Sequence, residues 1–185
     1  MESLIRSVKK AIGLSLGEQV VRYSELQTIV FEAANMVNGR PIGLKPDESS
    51  DLSYLSPNDI LLGRSTSKVP DQTFDTNNYL SRRYRFVQAL SEEFWKKWTN
   101  MYFPSLCIQT KWHHTKRNLQ VGDVVVVAER KLPRNKWRIA KVDEVTPGID
   151  GLVRRVKVIY KNKDSSQYTK VERSVQRFIV LLPVD

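Results

Sequence analysis

The second half of the chain alternates short apolar runs with turn residues. Val124–Val127 is an unbroken run of valines, which predicts a strand buried on both faces. Four further runs follow at residues 136–145, 150–160, 167–171 and 178–182. Runs of this length, divided by Pro-Gly, Asp-Gly and Asn-Lys-Asp turns, predict five strands that form an SH3-like β-barrel over residues 119–185.

The third of these strands shows a clear two-residue alternation. Val156 and Val158 point to one face, which predicts the core, while Arg155 and Lys157 point to the other. The pattern therefore predicts a sheet with one apolar face and one charged face.

Apolar positions three or four residues apart predict helices in the first half. The first helix covers residues 2–16, and a second begins at a capping box in residues 24–27. A long helix from about Tyr79 to Tyr102 carries Trp95 and Trp98, which we expect to be packing residues, and Pro104 is expected to end it.

These elements predict an α+β protein in four parts. The parts are helices at 1–45, a loop with a short helix after Ser56-Pro57 at 46–78, the long helix and its exit at 79–118, and the sheet at 119–185. One cysteine excludes a disulfide framework and favours a reducing, intracellular compartment. No apolar run approaches the ~18 residues of a membrane-spanning helix, so no membrane contact is expected.

The positive charge is concentrated in the predicted sheet. Of the formal net charge of +10, residues 111–185 carry +9, with 17 basic against 8 acidic side chains. Such clustering in one small segment predicts a polyanionic partner, and DNA in particular. The candidate DNA-binding residues are Arg130, Lys131, Arg134, Lys136, Arg138, Lys141, Arg155 and Lys157. Side chains of this kind suit phosphate contacts, which give affinity without reading sequence.

Signals for other chemistry are weak. Cys107, His113 and His114 lack the paired spacing of zinc ligands, so no metal and no cofactor is predicted. Asp123 follows a glycine at a turn, where aspartate commonly makes local hydrogen bonds. The two neighbouring acidic residues, Asp143 and Glu144, are expected to lie at an exposed strand end.

Several blocks of the sequence occur in the order seen in one family. They are residues 2–10 (ESLIRSVKK), Glu32 with 38–41 (NGRP), 55–64 (LSPNDILLGR), 94–98 (FWKKW), 111–112 (KW), 121–123 (VGD), Trp137 and 150–154 (DGLVR). Together they resemble the C-terminal portion of BEL/Pao-type retrotransposon integrases. The resemblance covers almost the whole chain.

The resemblance implies the end of an RNase H-like catalytic core, a connecting helix and a DNA-binding SH3-like barrel. Glu2 then corresponds to the glutamate of a catalytic triad whose two aspartates would lie upstream, so we expect Glu2 to be a relic and the chain not to be an enzyme. DNA integration, nuclear location and binding to non-specific DNA are the implied functions.

Two other functions stay open at this point. One is a protein-interaction module that binds a chromatin tail or an integrase partner, or that associates with itself. The residues that would form an aromatic cage in such a module are Trp137, Tyr160, Tyr168 and Phe178. The other is a complete enzyme domain, which requires carboxylates that the sequence pattern does not supply.

Overall fold

A computed structural model of the chain describes residues 2–45, 52–63, 82–106, 117–129, 133–161 and 168–184. Its helices are α1 (Glu2–Leu16), α2 (Tyr23–Asn38), α3 (Pro57–Leu62) and α4 (Arg82–Leu106). Its strands are β1 (Gly43–Leu44), β2 (Tyr54–Leu55), β3 (Val124–Val127), β4 (Ile139–Pro147), β5 (Val153–Lys161), β6 (Tyr168–Ser174) and β7 (Phe178–Leu182). The predicted α+β class is confirmed.

The chain forms two compact units. The first consists of residues 1–40, 57–102 and 130–136, and the second of residues 41–56, 103–129 and 137–185. Among the residues described, no helix combines the length and the apolarity needed to span a bilayer.

The first unit is built from helices that bury large side chains of α4. Phe94, Trp95 and Trp98 are almost completely buried, which confirms the predicted packing role of the two tryptophans. Ile29 of α2 packs with Val87 and Leu90 of α4 in one apolar cluster. The helical periodicity of α4 therefore marks the face that forms this core.

Two predicted helix ends are wrong. Helix α2 begins at Tyr23 rather than after Ser24, because the N3 residue Glu25 accepts the backbone N–H of Arg22 at 2.8 Å. Helix α4 continues past Pro104 to Leu106. A proline costs one backbone hydrogen bond and disturbs the turn before it, but it does not prevent the two residues after it from completing the last turn.

The second unit contains one antiparallel sheet with the strand order β6-β5-β4-β3-β7. Its five strands match the five predicted apolar runs. The predicted closure into a barrel is wrong, because the described parts of β6 and β7 lie at opposite edges and no ladder joins them. Strand β6 is mostly exposed, so it has little apolar surface whose burial would favour closure.

The core of the second unit lies on one face of this sheet. Its buried members are Leu119, Val125, Val127, Ala140, Val142, Val156, Val158 and Phe178. All four valines of β3 are buried, which confirms the prediction for this strand. We call the opposite side the outer face, and its β4, β5 and β6 portion carries the charged side chains discussed below.

The turn before β3 is fixed by a buried carboxylate. Asp123 is fully buried and accepts hydrogen bonds from Arg117 through both oxygens at 3.0 Å. It also accepts the backbone N–H groups of Gln120 at 2.8 Å and of Val184 at 2.9 Å. The bonds from Gln120 and Arg117 are local, as expected at a turn, whereas the bond from Val184 joins a part of the chain that is distant in sequence.

Candidate nucleic-acid interface

The predicted DNA-binding residues are divided between the two units and the part of the chain that is not described. Arg130 and Lys131 lie outside the described residues, and Arg134 and Lys136 belong to the first unit. Arg134 is half-buried, and its Nη2 donates to Oε1 of Gln88 on α4 at 2.8 Å. Arg134 is therefore held against a helix, although Lys136 is exposed.

Arg138 immediately precedes β4 and is occupied by two contacts within the second unit. Its Nη1 lies 2.6 Å from Oε1 of Glu129, and its guanidinium lies 4.7 Å from the ring centroid of Tyr160. An ion pair combined with a cation–π contact fixes the guanidinium in place. Arg138 is thus better suited to stabilising this end of the sheet than to binding a phosphate.

Lys141, Arg155 and Lys157 lie on the outer face, as the alternation predicts. In an antiparallel sheet, residues directly opposite each other share a face. Lys141 pairs with Ile159, while Arg155 and Lys157 pair with Ser174 and Glu172 of β6.

Two of these three residues are neutralised by carboxylates. Lys157 Nζ donates to Oε2 of Glu144 at 2.7 Å, and Arg155 Nη1 lies 3.5 Å from Oε1 of Glu172. The hydrogen bond and charge of Glu144 raise the pKa of the Lys157 ammonium above its ordinary value. A phosphate that approaches Arg155 or Lys157 therefore also meets two carboxylates.

The acidic pair at residues 143–144 is not the strand end that the sequence predicts. Both residues lie within β4, where the register shifts between Val142 and Glu144. At this irregularity the two carboxylates contact lysines of β5 and β6. Glu144 binds Lys157 of β5, and Asp143 Oδ2 accepts a hydrogen bond from Lys170 Nζ of β6 at 2.8 Å. Lys170 itself was not among the predicted site residues.

Ion pairing accounts for every acidic residue described between 117 and 184. The pairs are Asp123–Arg117, Glu129–Arg138, Asp143–Lys170, Glu144–Lys157, Asp150–Arg154 and Glu172–Arg155. Within the second unit, the same ranges contain four further basic residues, all exposed: Lys141, Lys161, Arg173 and Arg177. With ten basic against six acidic side chains, the described residues of the second unit between 117 and 184 carry a net charge of +4.

The sequence pattern could have predicted Lys161 as a site residue, but not Lys170. Lys161 continues the two-residue alternation of Lys157 and Ile159, so the same pattern predicts it on the outer face. The position of Lys170 depends on the register between β5 and β6. The apolar pattern alone does not specify that register.

The aromatic residues do not form an open cage. Trp137 and Phe178 are buried, and the ring of Trp137 meets that of Phe103 edge-on at 5.6 Å. The ring of Tyr160 is covered by Arg138, whereas Tyr168 is exposed. Two of the four candidate residues are therefore core residues.

Most of the candidate metal and catalytic residues lie in parts of the chain that the structure does not describe. Cys107, His113 and His114 lie outside the described residues, and Glu2 is the first residue of α1. The described ranges contain no group of three or more histidine, cysteine, aspartate or glutamate side chains arranged to hold a metal ion.

The fold and this surface define a basic α+β protein with an open five-stranded antiparallel sheet. Residues 82–181, from the start of α4 into β7, match a family of unknown function (DUF5641). This match spans more than half of the 185 residues, and the chain belongs to that family. Neither the curated proteins nor the solved structures contain a significant match to the chain.

Proposed function

We propose that this chain is a DNA-binding, non-catalytic portion of a retrotransposon-type integrase, and that it contacts DNA mainly through backbone phosphates. The observation that carries the proposal is the positive charge left on the second unit. Its described residues between 117 and 184 contain ten basic against six acidic side chains, and Lys141, Lys161, Arg173 and Arg177 are all exposed.

Excess charge on a sheet fits non-specific binding better than sequence readout. Readout of bases commonly uses a helix or a strand that enters a groove, with side chains placed at base edges. Flexible lysines on a strand face instead reach phosphates, and each contact releases condensed counterions. The proposed partner is therefore DNA of any sequence, and the proposed location is the nucleus, where chromosomal DNA is found.

The proposal is tested by fluorescence anisotropy of a labelled random-sequence duplex titrated with the whole chain. Measurements span salt concentrations from about 0.05 to 0.3 M, and log Kd is expected to vary linearly with log salt concentration with a slope of several units. Absence of binding at the lowest salt would overturn the DNA-binding function.

The non-catalytic part needs its own assay. The purified chain is incubated with a labelled oligonucleotide and a target duplex in the presence of Mg²⁺ or Mn²⁺, which support metal-dependent phosphoryl transfer. We expect no joined product. A strand-transfer product that disappears on chelation would show that the chain is an enzyme.

A further inference from the structure

The exposed part of the outer face is divided into a basic end and a mixed-charge end. Lys141, Ile159 and Lys170 form one row across β4, β5 and β6, and Lys161 pairs with Tyr168 in the next row. No acidic residue occupies either row. The basic end therefore consists of three lysines from three adjacent strands, separated by an apolar side chain and bordered by a tyrosine.

The mixed-charge end starts one row further along. Glu144, Lys157 and Glu172 are opposite one another, so this row carries two carboxylates and one ammonium. Arg155 lies beyond them and is drawn to Glu172. A polyanion would be attracted to the basic end and repelled by this row, since interactions between charges within a few ångströms are little screened by salt.

We propose that Lys141, Lys161 and Lys170 form the phosphate-binding site of the sheet, and that Arg155 and Lys157 lie outside it. This inference rests on the proposed DNA-binding function and names the part of the surface that performs it. All three lysines are exposed, and Lys141 has no carboxylate within ion-pairing distance among the residues described. The ligand is a phosphodiester backbone, whose charge spacing suits a row of cations.

Asp143 acts in this site as an internal competitor. Its carboxylate holds Lys170 Nζ at 2.8 Å, so a phosphate must displace it to bind Lys170. The pair is exposed on its lysine side, where 63% of the Lys170 side chain is accessible, so displacement costs little. The basic end thus sets one carboxylate against three lysines, whereas the mixed-charge end sets two carboxylates against two cations. Removing the carboxylate without changing its shape should strengthen DNA binding.

Two double variants with the same charge change test the location. K141Q/K161Q removes two cations from the basic end, and R155Q/K157Q removes two from the mixed-charge end of the same face. We expect K141Q/K161Q to reduce the salt slope by about 2 and to weaken binding by at least about tenfold at low salt. For R155Q/K157Q we expect a slope close to that of the unchanged protein and a smaller loss of affinity, which comes only from the unpaired charges of Glu144 and Glu172.

The single variant D143N provides a measurement in the opposite direction. It releases Lys170 from Asp143, so DNA affinity is expected to rise several-fold. The control is E129Q, which makes the same change of charge at the Glu129–Arg138 pair, away from this face. Far-ultraviolet circular dichroism of every variant verifies that the sheet is retained.

The outcomes separate this inference from the function on which it rests. If the unchanged protein does not bind duplex at low salt, the proposed function fails. If it binds but the two double variants lose affinity equally, or D143N gains no more than E129Q, DNA binding stands and the assignment of the site to the basic end is overturned.

Discussion

At the scale of single residues, Gly122 and Asp123 join the end of the described chain to the start of the sheet. The Asp123 carboxylate binds the N–H of Val184, and Arg117 Nη2 donates to the carbonyl of Val184 at 2.8 Å. The side chain of Val184 lies so close to Gly122 that an added Cβ would be 2.9 Å from Val184 Cγ2. Two hydrogen bonds and a close side-chain contact thus hold Val184 against the turn before β3.

We expect Asp123→Asn to destabilise the second unit by about 2–4 kcal/mol at neutral pH, because Arg117 loses its counter-ion and one buried acceptor is replaced by a donor. Burial alone would raise the pKa of the Asp123 carboxyl. Its hydrogen bonds from Arg117, Gln120 and Val184 outweigh that effect, and the pKa lies below its ordinary value.

The sign of the pH dependence follows from this lowered pKa. The stabilisation is complete above the ordinary value of 3.8 and is lost as the pH falls from there through the folded-state pKa. Urea denaturation followed by circular dichroism at pH 7, and again over a series of acidic pH values, measures it. The difference between D123N and the unchanged protein should shrink in acid. A difference in unfolding free energy that stays constant with pH would contradict the link to the Asp123 carboxyl. The control is D150N, which alters an exposed ion pair and should have a much smaller effect.

Gly122→Ala tests the backbone at the same turn. Gly122 has φ of +96°, a conformation that side chains disfavour, and its new methyl group would collide with Val184. We expect a loss of about 2–4 kcal/mol in unfolding free energy. Gly13→Ala in α1 is the matched control, since no atom lies within 4 Å of its added Cβ, and a gain of about 0.5–1 kcal/mol is expected there. Equal effects of the two substitutions would refute the steric explanation.

At the scale of elements, the apolar pattern predicted the strands better than the helix ends. The runs around β3, β5 and β7 are recovered because burial of one face demands alternation or continuity. The helix α3 is recovered as well, since Pro57 lies at its first position and Gly63 follows it with φ of +61°. Local chemistry of this kind is readable from the sequence.

Other features depend on partners that are distant in sequence. The start of α2 is set by Glu25, which also lies 3.0 Å from Arg83 of α4, and the short strands β1 and β2 have too few residues to form a pattern. The sequence predicted which types of residue form the candidate site and on which face of the sheet they lie. It did not predict the ion pairs that these residues form. Nothing in the local sequence shows that Lys157 meets Glu144 or that Lys170 meets Asp143.

The open sheet predicts unequal contributions from its strands. Val158 of β5 and Val171 of β6 are cross-strand partners on the core face, yet Val158 is buried and Val171 only partly so. We expect Val158→Ala to cost about 1.5–2.5 kcal/mol and Val171→Ala less than about 1 kcal/mol. Urea denaturation of both variants measures the difference. Similar losses would show that β6 is as well packed as β5, contrary to an open edge.

At the scale of the whole molecule, its two units have different surfaces. The second unit carries the segregated charge, whereas the helices of the first leave large apolar side chains in water. Tyr23 and Phe31 of α2 are 81% and 65% exposed, and Leu61 of α3 is 67% exposed. Exposed apolar surface of this extent favours association, because burying it releases ordered water at no conformational cost to the core.

We therefore expect the chain to associate with itself through the first unit as its concentration rises. Sedimentation velocity over a roughly hundredfold range of concentration should show a growing average mass, as mass action requires. The double variant F31S/L61S should lower that average mass, whereas I149S, which removes a fully exposed apolar side chain of the second unit, should leave it unchanged. High salt should not disperse the association, since hydrophobic contacts are not screened by ions, in contrast to the DNA binding of the second unit. A sedimentation coefficient independent of concentration would show that these side chains remain exposed in a stable monomer. Equal effects of F31S/L61S and I149S would show that association does not depend on these side chains of the first unit.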